Sequence, residues 1–438
     1  MHHVEDFRPS ANTEQQHEEY FDSYTDIKVH KLMLNDGPRM KFYHRVISAV
    51  VKDKVVLDVG SGSGVIAMWA AHHGARHVFS IEASDMALVQ SKIIADNHLS
   101  EKITVLQCRV EELTQKGTES FYQTYVAPVL RRESEEGKIV DTPFSIDFII
   151  SEWMGFYLVH EDMLSSVIRA RDFFLQFNRQ YGEEASLQLI PSHAQLWVAP
   201  MNLNVVKKKC FYDQYDSRYN KNLLPDSDSD DDEKKNTSQL STSGTDRDST
   251  RKENGIQFHC LAELEYQEQF ELNDGAPVVY TIPPASLLHP GQVVREMDLL
   301  SLKEGDLDRI ESITPHVCFD FTHLPQEAIE MNEAVLKRRE VLLDGFAFWF
   351  QVSFTHPTVG GGNKTVVLDT SPASPPTHWK QTISLLPEEL RSSEVMGVSR
   401  ETEPLTVKVT LAKPDEAAEG VKNENRFYAI SVEFSPDD

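Results

Sequence analysis

The chain has 438 residues, 40% of them hydrophobic, and its 69 acidic against 43 basic side chains give a formal net charge of −26 at pH 7. That length predicts more than one domain, and no run approaches the ~20 apolar residues that span a bilayer. An acidic field repels phosphates, which disfavours direct nucleic-acid binding; it attracts basic polypeptides, or it merely keeps the chain soluble. The start, MHHVEDFRPS, has no apolar signal region. Cys108, Cys210, Cys260 and Cys318 are scattered, with no metal-ligand cluster and no disulfide framework, which predicts a reducing intracellular compartment.

In chain order, residues 1–48 begin polar and then carry the aromatic-rich EEYFDSYTDIKVHKLMLNDGPRMKFYHRV. KVVLDVG reads as a buried strand and VIAMWAAHHG as a helix stopped at Gly74. HVFSIE is a second strand, with Ser84 as the expected N-cap of the helix DMALVQSKIIADNH. KITVLQ and FSIDFIIS are two more apolar strands. Beyond Glu161, Leu164, Val167, Ile168, Arg171 and Leu175 share a helical face on which Arg171 is the polar exception. Strands separated by helices from Lys54 to about Ile190 predict a parallel, doubly wound sheet.

After Pro191 the pattern changes. AQLWVAP, GFAFWFQVSF, TVVLDT, TISLL, LTVKVTLA and FYAISVEF are strand-like runs, which predict a mainly antiparallel barrel or sandwich. Residues 225–255 lack aliphatic residues apart from Leu240 and are expected to be disordered. Their serines beside acids are either phosphorylation sites or part of a plain solvated linker. Residues 114–143 are long for a link between two strands of such a sheet, and the chain has no internal repeats.

The sharpest local signal is VVLDVGSGSG, in which a strand ending at Asp58 runs into Gly60, Gly62 and Gly64. Glycines let the backbone turn tightly and approach a ligand, although a tight turn occurs in many α/β proteins. The third glycine of a dinucleotide fingerprint would fall at Val65. The next strand ends in Glu82, placed to accept hydrogen bonds from ribose hydroxyls, and the third leads to Val110 and Glu111, placed for adenine contacts. Turn, acid and third strand in that order point to S-adenosylmethionine as the cofactor.

The fourth strand runs into SEWMGFYLVHEDML, which sets Glu152 and Glu161 at the carboxyl edge of the sheet. Paired acids are ordinarily a solvated loop. These two flank an apolar stretch where a carboxylate is costly without a partner, and a planar guanidinium would supply one through forked, charge-assisted hydrogen bonds.

SEWMGFYLVHE resembles the double-glutamate loop of the protein arginine methyltransferases. YFDSY, with Tyr20 and Tyr24, resembles their N-terminal aromatic motif, a flap over the cofactor. PPTHWKQ, with His378 and Trp379, resembles their threonine–histidine–tryptophan loop, which the barrel supplies to the active site and which implies Trp379, with Tyr20, Met33 and Met163, in the substrate pocket. LSSVIRAR, IPSHAQLWVAP and GFAFWFQVSF look most like the family's nuclear, histone-modifying sixth isoform. The resemblance implies a helical flap over residues 1–48, a Rossmann-like class I methyltransferase domain over 49–190 and an antiparallel β-barrel domain over 191–438. A dimerisation arm and the acidic insert would occupy about 202–267 of the last.

It also implies roles. Glu152 and Glu161 match the substrate clamp, and Asp36 and His378 a pair that handles the proton. His30 and Arg39 match residues on the cofactor's methionine tail, Asp58, Gly60, Gly62, Glu82, Val110 and Glu111 its nucleoside site. Met33 and Met163 match methionines that favour a second methyl on the same nitrogen. The expected enzyme is of type I: it transfers methyl groups from S-adenosylmethionine to arginines of basic proteins such as histones, makes asymmetric dimethylarginine, and works as a homodimer in nucleus or cytoplasm. Phe156 departs from the family's tyrosine, the arm sequence matches poorly, and 114–143 matches no family segment. The rival readings are a small-molecule methyltransferase, which leaves the clamp and PPTHWKQ without a job, and a catalytically weak homologue that scaffolds another methyltransferase.

Overall fold

The computed structural model describes residues 2–5, 24–135, 143–183, 186–215, 259–272, 276–312, 316–336, 340–358, 360–391, 396–413 and 426–434. The chain starts with a short strand, β1 (His2–Glu5). Two helices, Ile27–Leu34 and Gly37–Val50, precede the first domain. Each begins at an aspartate N-cap: Asp26 accepts the Lys28 amide at 2.9 Å, and Asp36 accepts the Arg39 amide at 3.0 Å.

A parallel sheet follows, made of β2 (Val55–Val59), β3 (His77–Glu82), β4 (Ile103–Gln107), β5 (Phe148–Ser151) and β6 (Gln188–Ile190) in the order β4–β3–β2–β5–β6. β2, β3 and β5 are buried at every position, as expected of strands covered on both faces, and so they read as near-continuous apolar runs. The strand order reverses between β2 and β5, and the crevice beyond the carboxyl ends at such a reversal is where open α/β sheets hold ligands. Gly60 and Glu152 immediately follow those two strands.

Two local expectations change. The helix after β3 spans Met86–Asp96 and is capped at Asp85, one residue later than expected. Ser84 still accepts the Met86 amide at 3.2 Å, but its hydroxyl proton goes to Glu82 at 2.7 Å. The long 114–143 link is largely a folded helical layer, Val110–Gln115, Thr118–Phe121 and Ala127–Glu135, joined through a wide turn at Tyr122–Val126. Phe121 is its hub, with ring contacts to Phe79, Phe173, Phe174 and Phe177. Arg76 adds a bidentate pair to Glu133, at 3.1 and 2.7 Å.

The helix Met163–Tyr181 buries Leu164, Val167, Ile168, Arg171 and three phenylalanines, while Leu175 is only half-buried. Arg171 is no flaw in the apolar face. Its Nη1 donates to the carbonyls of Leu299 and Leu302 at 2.6 and 2.7 Å, tying this helix to the second domain.

The second domain is antiparallel: β7 (His193–Met201), β8 (Val278–Tyr280), β9 (Gln292–Asp298), β10 (Arg309–Glu311), β11 (Val317–Phe319), β12 (Val341–Leu342), β13 (Gly345–Pro357), β14 (Asn363–Asp369), β15 (Gln381–Leu385), β16 (Gly397–Val398), β17 (Leu405–Ala412) and β18 (Ala429–Phe434). One sheet runs β8–β15–β13–β7–β9 with β14 also on β13; the other runs β1–β18–β17–β10 with β11 also on β17, and β12 pairs with β16. β13 pairs β15 over Gly345–Phe348 and β14 over Gln351–Pro357, so one long strand serves two neighbours on the same side. β1 hydrogen-bonds to β18; the chain start thus belongs to the barrel rather than to a helical flap, and it covers an edge that β18 would otherwise expose.

One apolar cluster runs through both domains, joined at contacts such as Phe148 with Phe354. A second cluster packs the arm, where Phe211 meets Tyr266 and Phe270 of the helix His259–Phe270. The arm's root is held by Asp344, which accepts from the Leu203 amide and from Asn202 Nδ2. Residues 225–255 lie outside the described residues. Among the described residues, no helix is long and apolar enough to cross a membrane.

Candidate active site

Gly60, Gly62 and Gly64 all take positive φ, at +69°, +54° and +79°. At Gly60 a Cβ would stand 2.0 Å from Met163 Cε and displace that side chain, and the positive φ itself favours glycine there. Under the turn is a buried polar chain: Ser61 donates to Asp58 at 2.6 Å, and Gln90 Nε2 donates to Ser61 at 2.6 Å and to Ser80 at 2.7 Å. Burial pushes the Asp58 carboxyl up to about 7, against the hydrogen bond from Ser61. Asp58 therefore supports the turn from below. It is not on the cavity wall.

Tyr24, His30, Met33, Arg39, Gly60, Gly62, Glu82, Val110, Glu111, Glu152, Glu161 and Met163 line one cavity of about 1020 Å³, including space open to solvent. Glu82 accepts the Gly62 amide on one oxygen at 2.8 Å, and the Ser84 amide and hydroxyl on the other at 2.8 and 2.7 Å. Glu111 accepts from Ser166 at 2.8 Å. His30 Nε2 lies 2.7 Å from the Tyr24 carbonyl, which ties the first helix to the aromatic segment before it.

Glu152 follows β5 and takes the Nε of Arg39 at 3.0 Å. Glu161 accepts the Tyr24 hydroxyl at 2.8 Å. Burial pushes the Glu161 carboxyl above its ordinary value; the Tyr24 hydrogen bond opposes this and the Glu152 charge adds to it. The loop between the two acids is strained. Tyr157, Leu158, Glu161 and Asp162 all have positive φ, from +41° to +75°, at about 1–2 kcal/mol each. Gly155 is needed at its neck, because a Cβ there would meet the His160 carbonyl oxygen at 2.1 Å.

Asp36 caps its helix with one oxygen and holds His378 with the other, accepting from the backbone amide at 2.8 Å and pairing with Nδ1 at 2.7 Å. Burial raises the Asp36 carboxyl, but the hydrogen bonds from His378 and the Arg39 amide outweigh it and leave it below the ordinary value. Trp379, expected in the pocket, is instead a strut. It is 4% exposed, and its indole N–H donates to the Met154 carbonyl at 2.7 Å, anchoring the double-glutamate loop to the barrel. Neither Trp379 nor the Asp36–His378 pair is on the cavity wall. Tyr20 lies outside the described residues.

Sequence reasoning missed Gln90, Ser166 and Arg426. Gln90 had a signal: it shares the inward face of its helix with Met86, Ala87 and Ile94, and a polar side chain there needs a buried partner. Arg426 lines the cavity from just before β18, and nothing local marked it.

The fold and the site define a methyltransferase whose second, antiparallel domain reaches back to the catalytic edge of the first. A family model described as the ribosomal protein L11 methyltransferase matches residues 42–131, and one described as the arginine methyltransferase oligomerization subdomain matches 248–419. A crystal structure of PRMT6-SAH is 33% identical, with a TM-score of 0.68 over 94% of this chain and 100% of that chain. Probable protein arginine N-methyltransferase 6 of Arabidopsis thaliana is 27% identical over 95% of this chain and 78% of its own length. Protein arginine N-methyltransferase 6 of Xenopus tropicalis is 26% identical over 91% and 87%. This chain belongs to the protein arginine N-methyltransferase family.

Proposed function

We propose that the cavity brings S-adenosylmethionine together with a protein arginine, and that transfer proceeds through monomethyl to asymmetric dimethylarginine, a type I outcome. The observation that carries the reading is the convergence of Glu152 and Glu161 on one cavity that also contains the glycine turn and Glu82. Glu152 already holds a guanidinium, that of Arg39.

The residues fit the cofactor. Gly60 and Gly62 form a cradle that side chains would fill, with Met163 above one and His30 3.0 Å from a Cβ on the other. Glu82, steadied by Gly62 and Ser84, would accept ribose hydroxyls, Val110 and Glu111 would meet the adenine, and His30 and Arg39 would take the methionine tail. When bound, the cofactor supplies an electrophilic methyl group on a sulfonium.

The protein positions the nucleophile. Glu152 and Glu161 draw positive charge onto the guanidinium nitrogens they touch and leave lone-pair density on the nitrogen facing the sulfonium. Bound S-adenosylmethionine would give its methyl group to that nitrogen and keep the sulfur–carbon electron pair on sulfur. Guanidinium has a pKa above 12, so its proton leaves as the methyl arrives. The family resemblance assigns the passing of that proton to His378, oriented through Nδ1 by Asp36 just outside the cavity lining. The gain comes from positioning and preorganised charge.

The acidic chain favours basic, arginine-rich protein substrates, histones among them, in nucleus or cytoplasm. A homodimer built through the arm fits the matched oligomerization subdomain and the exposed Leu261 and Leu264 of the arm helix. A hydrodynamic mass of one chain at micromolar concentration, with full activity, would rule the dimer out.

The deciding experiment measures binding of labelled S-adenosylmethionine, then incorporation into an Arg-Gly-rich peptide with mass spectrometry of the product. Incorporation with neutral loss of dimethylamine supports the full reading. Cofactor binding without incorporation would leave the scaffold reading instead.

A further inference from the structure

Glu161 and Asp162 hold left-handed backbone conformations, and such conformations persist only where the surroundings over-determine them. The surroundings here are the end of β17 and the start of β18. Both backbone polar groups of Glu161 are engaged by one residue: its amide donates to the Arg426 carbonyl at 2.9 Å, and Arg426 Nη1 donates back to the Glu161 carbonyl at 2.8 Å. Asp162 is held by its side chain. Lys413 Nζ meets Oδ2 at 2.6 Å, while Ser165 and the Tyr428 hydroxyl donate to Oδ1 at 2.8 and 3.1 Å. The Tyr157 hydroxyl donates to the Tyr428 carbonyl at 3.3 Å.

Lys413 itself is 5% exposed, with Asp308 Oδ1 at 3.8 Å and the Tyr428 ring at 5.6 Å. A buried lysine is costly to keep unless the pair does something. This one lies at the foot of the residue that carries the second clamp carboxylate.

We infer that the C-terminal hairpin, through Lys413, Arg426 and Tyr428, is a positioning element that sets where the Glu161 carboxylate stands. The inference rests on the proposed role of Glu161 in gripping the arginine. It makes the geometry of the first domain's catalytic loop depend on residues more than 250 positions later in the chain.

The test compares full-length wild type with Lys413→Met, Lys413→Arg, Arg426→Ala and the charge-balanced double variant Asp162→Asn/Lys413→Met. Hydrogen exchange of residues 157–162, cofactor affinity, and kcat and KM on an arginine peptide are read together. Lys413→Met and Arg426→Ala should speed exchange of the loop at least tenfold and lower kcat by about 10- to 100-fold. For the variants at Lys413 cofactor affinity should stay within threefold, and Lys413→Arg should recover at least a third of kcat. If Lys413→Met does not fold, the double variant, which strands neither a buried lysine nor a buried aspartate charge, carries the same expectation.

Unchanged loop exchange, or equal losses in cofactor affinity and kcat, would overturn the inference. So would faster exchange with kcat within threefold of wild type. In that last case Glu161→Gln, measured alongside, locates the fault: an active Glu161→Gln means the clamp reading is wrong, an inactive one that the hairpin does not set it.

Discussion

Arg39 Nε and Glu152 Oε2 lie 3.0 Å apart, and their side chains are 7% and 8% exposed although 113 residues separate them in the chain. The pair joins the second N-terminal helix to the loop after β5. Arg39 also donates through Nη1 to the Met33 carbonyl at 3.3 Å, so one guanidinium ties together Glu152, the preceding helix and the cavity wall. Removing one partner of such a pair leaves an uncompensated buried charge. An isosteric change is therefore the informative one.

Glu152→Gln keeps an oxygen for Arg39 but loses the charge that orients a substrate guanidinium. Cofactor affinity should stay within about threefold and kcat should fall by at least ~100-fold, the scale of removing a preorganised electrostatic contact. Calorimetry with S-adenosylmethionine beside peptide turnover checks it; near-normal turnover would show that this acid does not grip the arginine.

Asp36→Asn separates two jobs of one side chain. Asparagine caps helices as well as aspartate does, so at neutral pH the melting temperature should fall only by the share that the charge against His378 contributes. The charge against His378 is lost, and turnover should fall by about tenfold or more. The carboxyl of Asp36 is held below its ordinary value, so it contributes stability present above the unfolded pKa and lost as pH falls through the folded one. Wild type should accordingly lose more stability than the variant only at low pH.

Met33 and Met163 both face the cavity, Met163 directly over Gly60. Unbranched methionines leave adaptable room beside the reacting nitrogen. Met33→Phe should crowd that space and reduce the asymmetric dimethyl product relative to the monomethyl one. Peptide mass spectrometry at completion reads this directly, and an unaltered product ratio would make Met33 plain cavity lining.

Burial pushes the Asp344 carboxyl up to about 7, against the hydrogen bond from the Leu203 amide. A raised carboxyl binds a proton in the folded state that the unfolded state has already released, so its contribution to stability declines as pH rises from about 4 to about 7. Asp344→Asn removes that decline and keeps an acceptor for Leu203. The melting temperature of the variant minus that of wild type should grow between pH 5 and pH 8, as calorimetric scans would show; a pH-independent difference would mean that Asp344 does not titrate in this range.

Much of this protein was legible in its sequence because the informative signals are local. The four strands β2 to β5, a glycine turn and Glu82 follow from apolar runs and backbone constraints that act within a few residues. The double-glutamate segment was conspicuous because acids in apolar company require a partner. Tertiary structure decided what those segments lean on. Ser84 was expected to cap a helix; it accepts the Met86 amide there and also orients Glu82, since its hydroxyl donates to the nearest carboxylate. Trp379 was expected in the pocket and instead braces Met154, because its buried N–H had to find an acceptor. The first residues joined β18 because a strand edge needed covering. Arg426 and Lys413 met Glu161 and Asp162 across more than 250 residues. Such pairings depend on how two domains pack, and no local pattern encodes them: sequence determined which chemistry the chain carries, and packing between the domains determined how that chemistry is held in place.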